Sequence, residues 1–145
     1  MGNINKRGGL MNNEIRWKQR FHNFSKAYKT FCRTLNRLEE SPVDEIIQMA
    51  LVQAFEVTYE LAWNVMKDYL ENEGLTEVKS PKQTIRIAYQ AGLINDAEKW
   101  MEMIQKRNLA SHAYDQTILD ETVQYIKDEF HPLVTKLYDD MKGRQ

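Results

Sequence analysis

The sequence predicts an all-α fold, an antiparallel up-and-down bundle of four to five helices. Apolar residues recur at alternating spacings of three and four along most of the chain, and no segment sustains the strict alternation of a strand. Helix-starting signatures and glycine stops divide that rhythm into separate rods. With 145 residues and 42% apolar content, the chain has enough material for one domain around one core.

Residues 1–13 mix Gly2, Gly8 and Gly9 with asparagines, Lys6 and Arg7, a composition read as a flexible tail, with Met11 as an alternative start. The bundle is expected over residues 14–143. Its first helix carries Trp17, Phe21, Phe24, Tyr28, Phe31, Leu35 and Leu38 on one stripe. Such a run of large residues reads as core rather than as a base-stacking platform.

Ser41-Pro42-Val43-Asp44 offers an N-cap, a proline at the first helical position and an acid in the first turn, so a second helix starts here. It runs through Met49, Val52, Phe55, Tyr59, Ala62, Trp63, Met66 and Leu70 and stops before Gly74, making a long hairpin with the first. Ser80-Pro81-Lys82-Gln83 repeats the signature for a short helix with Ile85, Ile87 and Ala88, ending near Gly92. Asn95-Asp96-Ala97-Glu98 caps a fourth, with Trp100, Met103, Ile104 and Arg107. A cap within Thr117 to Asp120 then opens the last helix, where Leu119, Val123, Ile126, Phe130, Leu133 and Leu137 restore the rhythm. Pro132 is expected to kink that helix without ending it, because the stripe continues on both sides.

Several function classes are disfavoured. A net charge of -1 is not that of a general nucleic-acid binder, so any RNA contact must be local. The single Cys32 excludes an intrachain disulfide framework and reads as a buried thiol. No apolar run approaches the roughly 20 residues of a membrane span, and the start lacks the hydrophobic centre of a signal peptide. A soluble cytoplasmic protein with no membrane association is expected. His22, His112 and His131 fall on separate elements, no Cys or His pair has zinc-site spacing, and no glycine-rich phosphate loop occurs, so neither a metal nor a cofactor is expected.

The segment with most chemistry is Arg107-Asn108-Leu109-Ala110-Ser111-His112-Ala113-Tyr114, at the end of the fourth helix. Arginine offers a permanent forked cation suited to phosphate, and histidine moves protons near neutral pH. In an uninterrupted helix, residues five apart point about 140° away from each other. Arg107 and His112 therefore converge only if the helix ends between them or a second copy of the chain completes the site. Metal-independent RNA cleavage needs a base, an acid and a cation for the phosphorane charge. A two-fold homodimer bringing two copies of His112 and Arg107 into one cleft would supply all three. Glu56 and Glu60, one turn apart beside the apolar face of the second helix, either approach a cation on a neighbouring helix, where Arg107 is the candidate, or lie at the solvated edge of the stripe. The plainer reading also stands: Arg107 pairs with a glutamate while Asn108, Ser111 and His112 satisfy a helix end.

Arginine, a polar residue, a short spacer and histidine together resemble the signature of HEPN domains. Phe55-Glu56-Val57-Thr58-Tyr59-Glu60-Leu61-Ala62-Trp63, Ser80-Pro81, Gly92-Leu93-Ile94, Trp100, and Arg107-Asn108 through Ser111-His112-Ala113-Tyr114-Asp115 extend the match. Over about residues 15 to 140 the chain resembles the nucleotidyltransferase substrate-binding protein family, a HEPN branch.

The resemblance implies a dimerising helical bundle in complex with a minimal nucleotidyltransferase (MNT), the two forming a toxin–antitoxin pair. It implies metal-independent RNase roles for Arg107 and His112, with Asn108 as a polar helper; Glu56, Glu60, Ser111 and Asp115 around them are candidate supporting residues. In some such pairs the transferase adds adenylate to the tyrosine two residues after the histidine, here Tyr114, and silences the nuclease. The alternative is a non-catalytic subunit that binds nucleotide or presents substrate to the transferase.

Overall fold

The structure, a computed structural model, describes residues 2–75 and 78–145, with side chains from Asn12 onward. Its helices are α1 (Gly2–Glu40), α2 (Glu45–Asn72), α3 (Pro81–Gln90), α4 (Ala97–Ala110), α5 (Gln116–Tyr125) and α6 (His131–Gly143). A π turn, Ile126–Phe130, joins α5 and α6 into one rod, so the described residues form a bundle of five helical rods. The expected tail over 1–13 falls largely on residues whose side chains lie outside the described set; the backbone there continues α1 from Gly2.

Two helix starts differ from the sequence reading. The cap of α2 is Asp44, whose carboxylate accepts from the Ile46 and Ile47 N–H groups at 2.9 and 3.4 Å. Ser41 instead closes α1, its N–H bonded to the Arg37 and Leu38 carbonyls at 3.1 Å, and Pro42 and Val43 occupy the turn between. Likewise α5 is capped by Asp115, which accepts from Thr117 and Ile118 N–H at 2.9 and 3.2 Å. An aspartate and a threonine are both good caps, and only the extended backbone at Asp115 selects it. Ser80 and Asp96 cap α3 and α4 as expected, and Gly74 and Gly92, at φ of 89° and 79°, follow the ends of α2 and α3.

The helix continues through Pro132, as expected, by a specific device. Proline lacks an N–H and its ring strikes the carbonyl four residues back. The chain meets this by widening the turn just before it, where His131 N–H reaches the Ile126 carbonyl, five residues earlier. Ile126 and Phe130 remain fully buried across the insertion.

The core follows the stripes. Phe24, Phe31, Phe55 and Phe130 are wholly buried, with Phe130 edge-on to Phe31 at 5.2 Å and to Phe55 at 4.7 Å. One ring thereby ties α1, α2 and the π turn. Arg20 on α1 donates to the buried Asp68 carboxylate of α2 at 2.8 Å, and Tyr28 and Thr135 share a hydrogen bond of 2.9 Å between α1 and α6.

Two buried tyrosines set the response to alkali. Burial pushes the Tyr59 phenol up to about 12, with the Glu60 charge adding to the effect and Arg107 opposing it. Burial also raises Tyr125, whose hydroxyl has no hydrogen-bond partner among the described residues. Both folded values exceed the ordinary value of 10.0, so below pH 10 folded and unfolded chains alike keep these protons. Above it the unfolded chain releases them first, and stability falls as pH rises from 10 through about 12. Urea melts across that range should show the decline, and Tyr59→Phe should flatten part of it.

Candidate functional site

The site is built on the end of α4. Ala110 and Ala113 are buried and pin the turn that follows, while Asn108, Ser111, His112, Tyr114 and Asp115 are exposed around them. Hydrogen bonds from His112 N–H to the Leu109 carbonyl at 2.9 Å, and from Ala113 N–H to the Ala110 carbonyl at 3.2 Å, tighten the chain past the last helical residue. The helix does end between Arg107 and His112, as the spacing argument required of a site within one chain.

The two residues nevertheless point to different partners. Arg107, half-buried, crosses to α2, where its Nη2 lies 3.5 Å from Glu56 and its Nε 3.7 Å from Glu60. These are charge contacts, longer than short hydrogen bonds. The Glu60 carboxylate also accepts from the Trp63 indole N–H at 2.9 Å, which fixes it in place. The ring of Tyr59 is buried between the two glutamates in sequence, and Arg107 and Glu60 both act on its phenol. From the sequence Tyr59 is a core residue within the block that carries the resemblance, with no site role; its position one residue before Glu60 was the available signal of a place in the site. Gln53, Glu56, Val57, Glu60, Leu61 and Arg107 line a shallow depression of about 350 Å³.

His112 turns instead to Tyr114. Its Nδ1 lies 3.3 Å from the Tyr114 Oη, and the rings meet edge to face at 5.9 Å. Tyr114 is 83% exposed, unusual for so large a ring, and open to a second macromolecule. The phenol donates to Nδ1 when the imidazole proton is on Nε2 and accepts from Nδ1–H when it is on Nδ1, so either tautomer keeps the pair together.

The supporting residues have local duties. Ser111 Oγ donates to the Asn108 carbonyl at 2.8 Å, and the Asp115 carboxylate is engaged in capping α5. Asn108 presents its amide to solvent. Arg107 and His112 make no hydrogen bond to each other among the described residues, so one chain holds an arginine–glutamate group and a histidine–tyrosine pair side by side. Among the described residues no cluster of three or more His, Cys, Asp or Glu could hold a metal ion, and no helix is long and apolar enough to cross a membrane.

Known proteins share both fold and sequence. The chain is 32% identical over 83 residues to a probable ribonuclease HepT of Haemophilus influenzae, the match taking in 54% of this chain and 57% of that protein. The fold matches HI0074 of Haemophilus influenzae, described as a substrate binding domain of a nucleotidyltransferase, with TM-score 0.76 and 25% identity over 84% of this chain and 98% of that one. A Thermus thermophilus protein matches with TM-score 0.59 and 30% identity over 79% and 97% of the respective chains. The family model described as nucleotidyltransferase substrate binding protein like covers residues 19–143, which includes every site residue above. The chain therefore belongs to the nucleotidyltransferase substrate-binding protein-like family.

Proposed function

We propose that this chain is the HEPN subunit of a cytoplasmic two-component HEPN/MNT system. It acts as a metal-independent ribonuclease toxin in the form of a homodimer and is controlled by a minimal nucleotidyltransferase. The observation that carries this reading is the turn after α4, which exposes His112 and Tyr114 together, 3.3 Å apart, beside the Arg107 helix end.

In this mechanism His112 of one copy, with its proton on Nδ1 and donated to Tyr114 Oη, takes the ribose 2′-hydroxyl proton at Nε2; His112 of the other copy, protonated at Nε2, gives a proton to the leaving oxygen, and Arg107 offsets charge on the phosphorane. A second copy supplies the second proton-transfer group. Transfer of adenylate to Tyr114 forms a bond from Oη to the α-phosphorus of ATP and releases pyrophosphate, with loss of the phenol proton. The His112–Tyr114 hydrogen bond is then lost, and a negative phosphate with a bulky base stands over the imidazole.

The ion pairs of Arg107 favour a second reading. Two glutamates already neutralise its charge, which suits a non-catalytic subunit that binds nucleotide or presents substrate to the transferase. Incubation of the purified protein with its transferase and ATP, followed by peptide mass spectrometry, separates the two. The nuclease reading expects one added adenylate on Tyr114, RNA cleavage lost in step with it, and a Tyr114→Phe variant that stays active. Adenylate on a third molecule, with Tyr114 untouched, would instead establish the substrate-binding subunit.

A further inference from the structure

From the distribution of charge along α1 we infer a track for the sugar–phosphate backbone of single-stranded RNA, running over α1 toward Arg107. The inference rests on RNA being the substrate. The chain as a whole is slightly acidic, yet between Glu14 and Glu39 it carries Arg16, Lys18, Arg20, Lys26, Lys29, Arg33 and Arg37 with no carboxylate. Three of these are spent in ion pairs: Arg16 with Glu71, Lys18 with Glu14 and Arg20 with Asp68. Lys26, Lys29, Arg33 and Arg37 are exposed and form no ion pair among the described residues.

At 100° per residue these four fall within about 80° of one another around the helix and extend about 17 Å along it, roughly one cation per turn. Arg33 is steadied by donating to Thr30 Oγ1 at 3.0 Å. An unbroken row of one sign, one charge per turn, is matched by a polymer with one phosphate per residue.

The row connects to the site. Lys26, Thr30 and Thr34 form one wall of a groove of about 430 Å³ whose other wall is α2, including Gln53 and Val57. Gln53 and Val57 also line the depression that holds Arg107, so groove and depression are continuous. A strand laid on α1 is led across α2 to the proposed cleavage site. An anionic membrane is a poorer partner, because the apolar face of α1, from Trp17 and Phe21 to Leu38, is buried in the core and offers nothing to insert.

The test measures binding of a short fluorescein-labelled single-stranded RNA by anisotropy over a salt series, with His112→Ala as background to prevent cleavage while keeping Arg107. Substituting Lys26, Lys29, Arg33 and Arg37 together by Gln should lower the slope of log affinity against log salt by about 3, at about 0.7 per phosphate contact. At 0.1 M salt the affinity should fall on the order of 10²–10³-fold. The variant Lys79→Gln, Lys82→Gln and Arg86→Gln, with cations removed before and along α3, should keep the parent slope. Equal slopes for the parent and the α1 variant would overturn the track, as would an equal loss in the α3 variant. So would an α1 variant that binds RNA normally but no longer binds anionic vesicles or its transferase. Cleavage by the unsubstituted protein is scored separately. Absence of cleavage with stripe-dependent binding removes the nuclease reading and leaves the track; cleavage with stripe-independent binding does the reverse.

Discussion

His112→Ala is expected to reduce RNA cleavage by about 10²–10⁴-fold, the range for removing a positioned proton-transfer group. The fold should not change. His112 is exposed, its ring meets the exposed Tyr114, and the turn is held by the buried Ala110 and Ala113 together with backbone bonds. Thermal melts of variant and parent should therefore coincide while initial rates on labelled RNA separate. A cleavage loss below about tenfold would remove His112 from the proton-transfer role, since general acid–base groups contribute more than that. In a homodimer the substitution removes both copies at once. Heterodimers with one intact His112 should then retain little activity if base and acid come from different subunits, and about half if each subunit works alone.

The segments most legible in the sequence were those governed by local rules with one solution. The aromatic stripe from Trp17 to Leu38 is the buried face of α1, because periodicity is a property of the helix itself. Ser80 before Pro81 had no competing cap and marks the start of α3. At the starts of α2 and α5 two polar residues competed, and tertiary geometry rather than propensity chose Asp44 and Asp115. The π turn was visible only as a proline inside an apolar rhythm.

In the candidate site, the sequence placed the segment at a helix end and offered Glu56 and Glu60 as residues that either approach a cation or lie at the solvated edge; α4 ends at Ala110 and both carboxylates face Arg107. It did not foretell the contact between His112 and Tyr114, since residues two apart do not face each other in a helix and meet here only because α4 has ended. Nor did it expose the charge row on α1. The buried aromatic face dominates that stretch of sequence, and the cations of α2-facing and outward positions separate only once Glu71 and Asp68 are seen to neutralise Arg16 and Arg20.

Phe55→Ala is expected to destabilise the fold by about 3–5 kcal/mol, the cost of removing a fully buried phenylalanine and leaving a cavity. The ring is 0% exposed and lies edge-on to Phe130 at 4.7 Å and to Tyr125 at 6.0 Å, so its loss opens space where α2 meets the α5–π–α6 rod. Glu56 is the next residue on the same turn of α2 and points outward to Arg107. Glu56→Gln should cost no more than about 0.5 kcal/mol, because a partly exposed ion pair contributes little to folding. It should nevertheless alter the site, leaving Arg107 paired with Glu60 alone and with more of its positive charge available to a phosphate. Urea melts place the two variants at opposite ends of the stability scale. RNA affinity orders them differently, because Glu56→Gln should bind more tightly than the parent. Were Glu56→Gln to weaken binding instead, the glutamates would act by aiming the guanidinium rather than by restraining its charge. Were Phe55→Ala to lose less than about 1 kcal/mol, the space its ring fills would have to close around Phe130 and Tyr125, at odds with a core packed rod against rod.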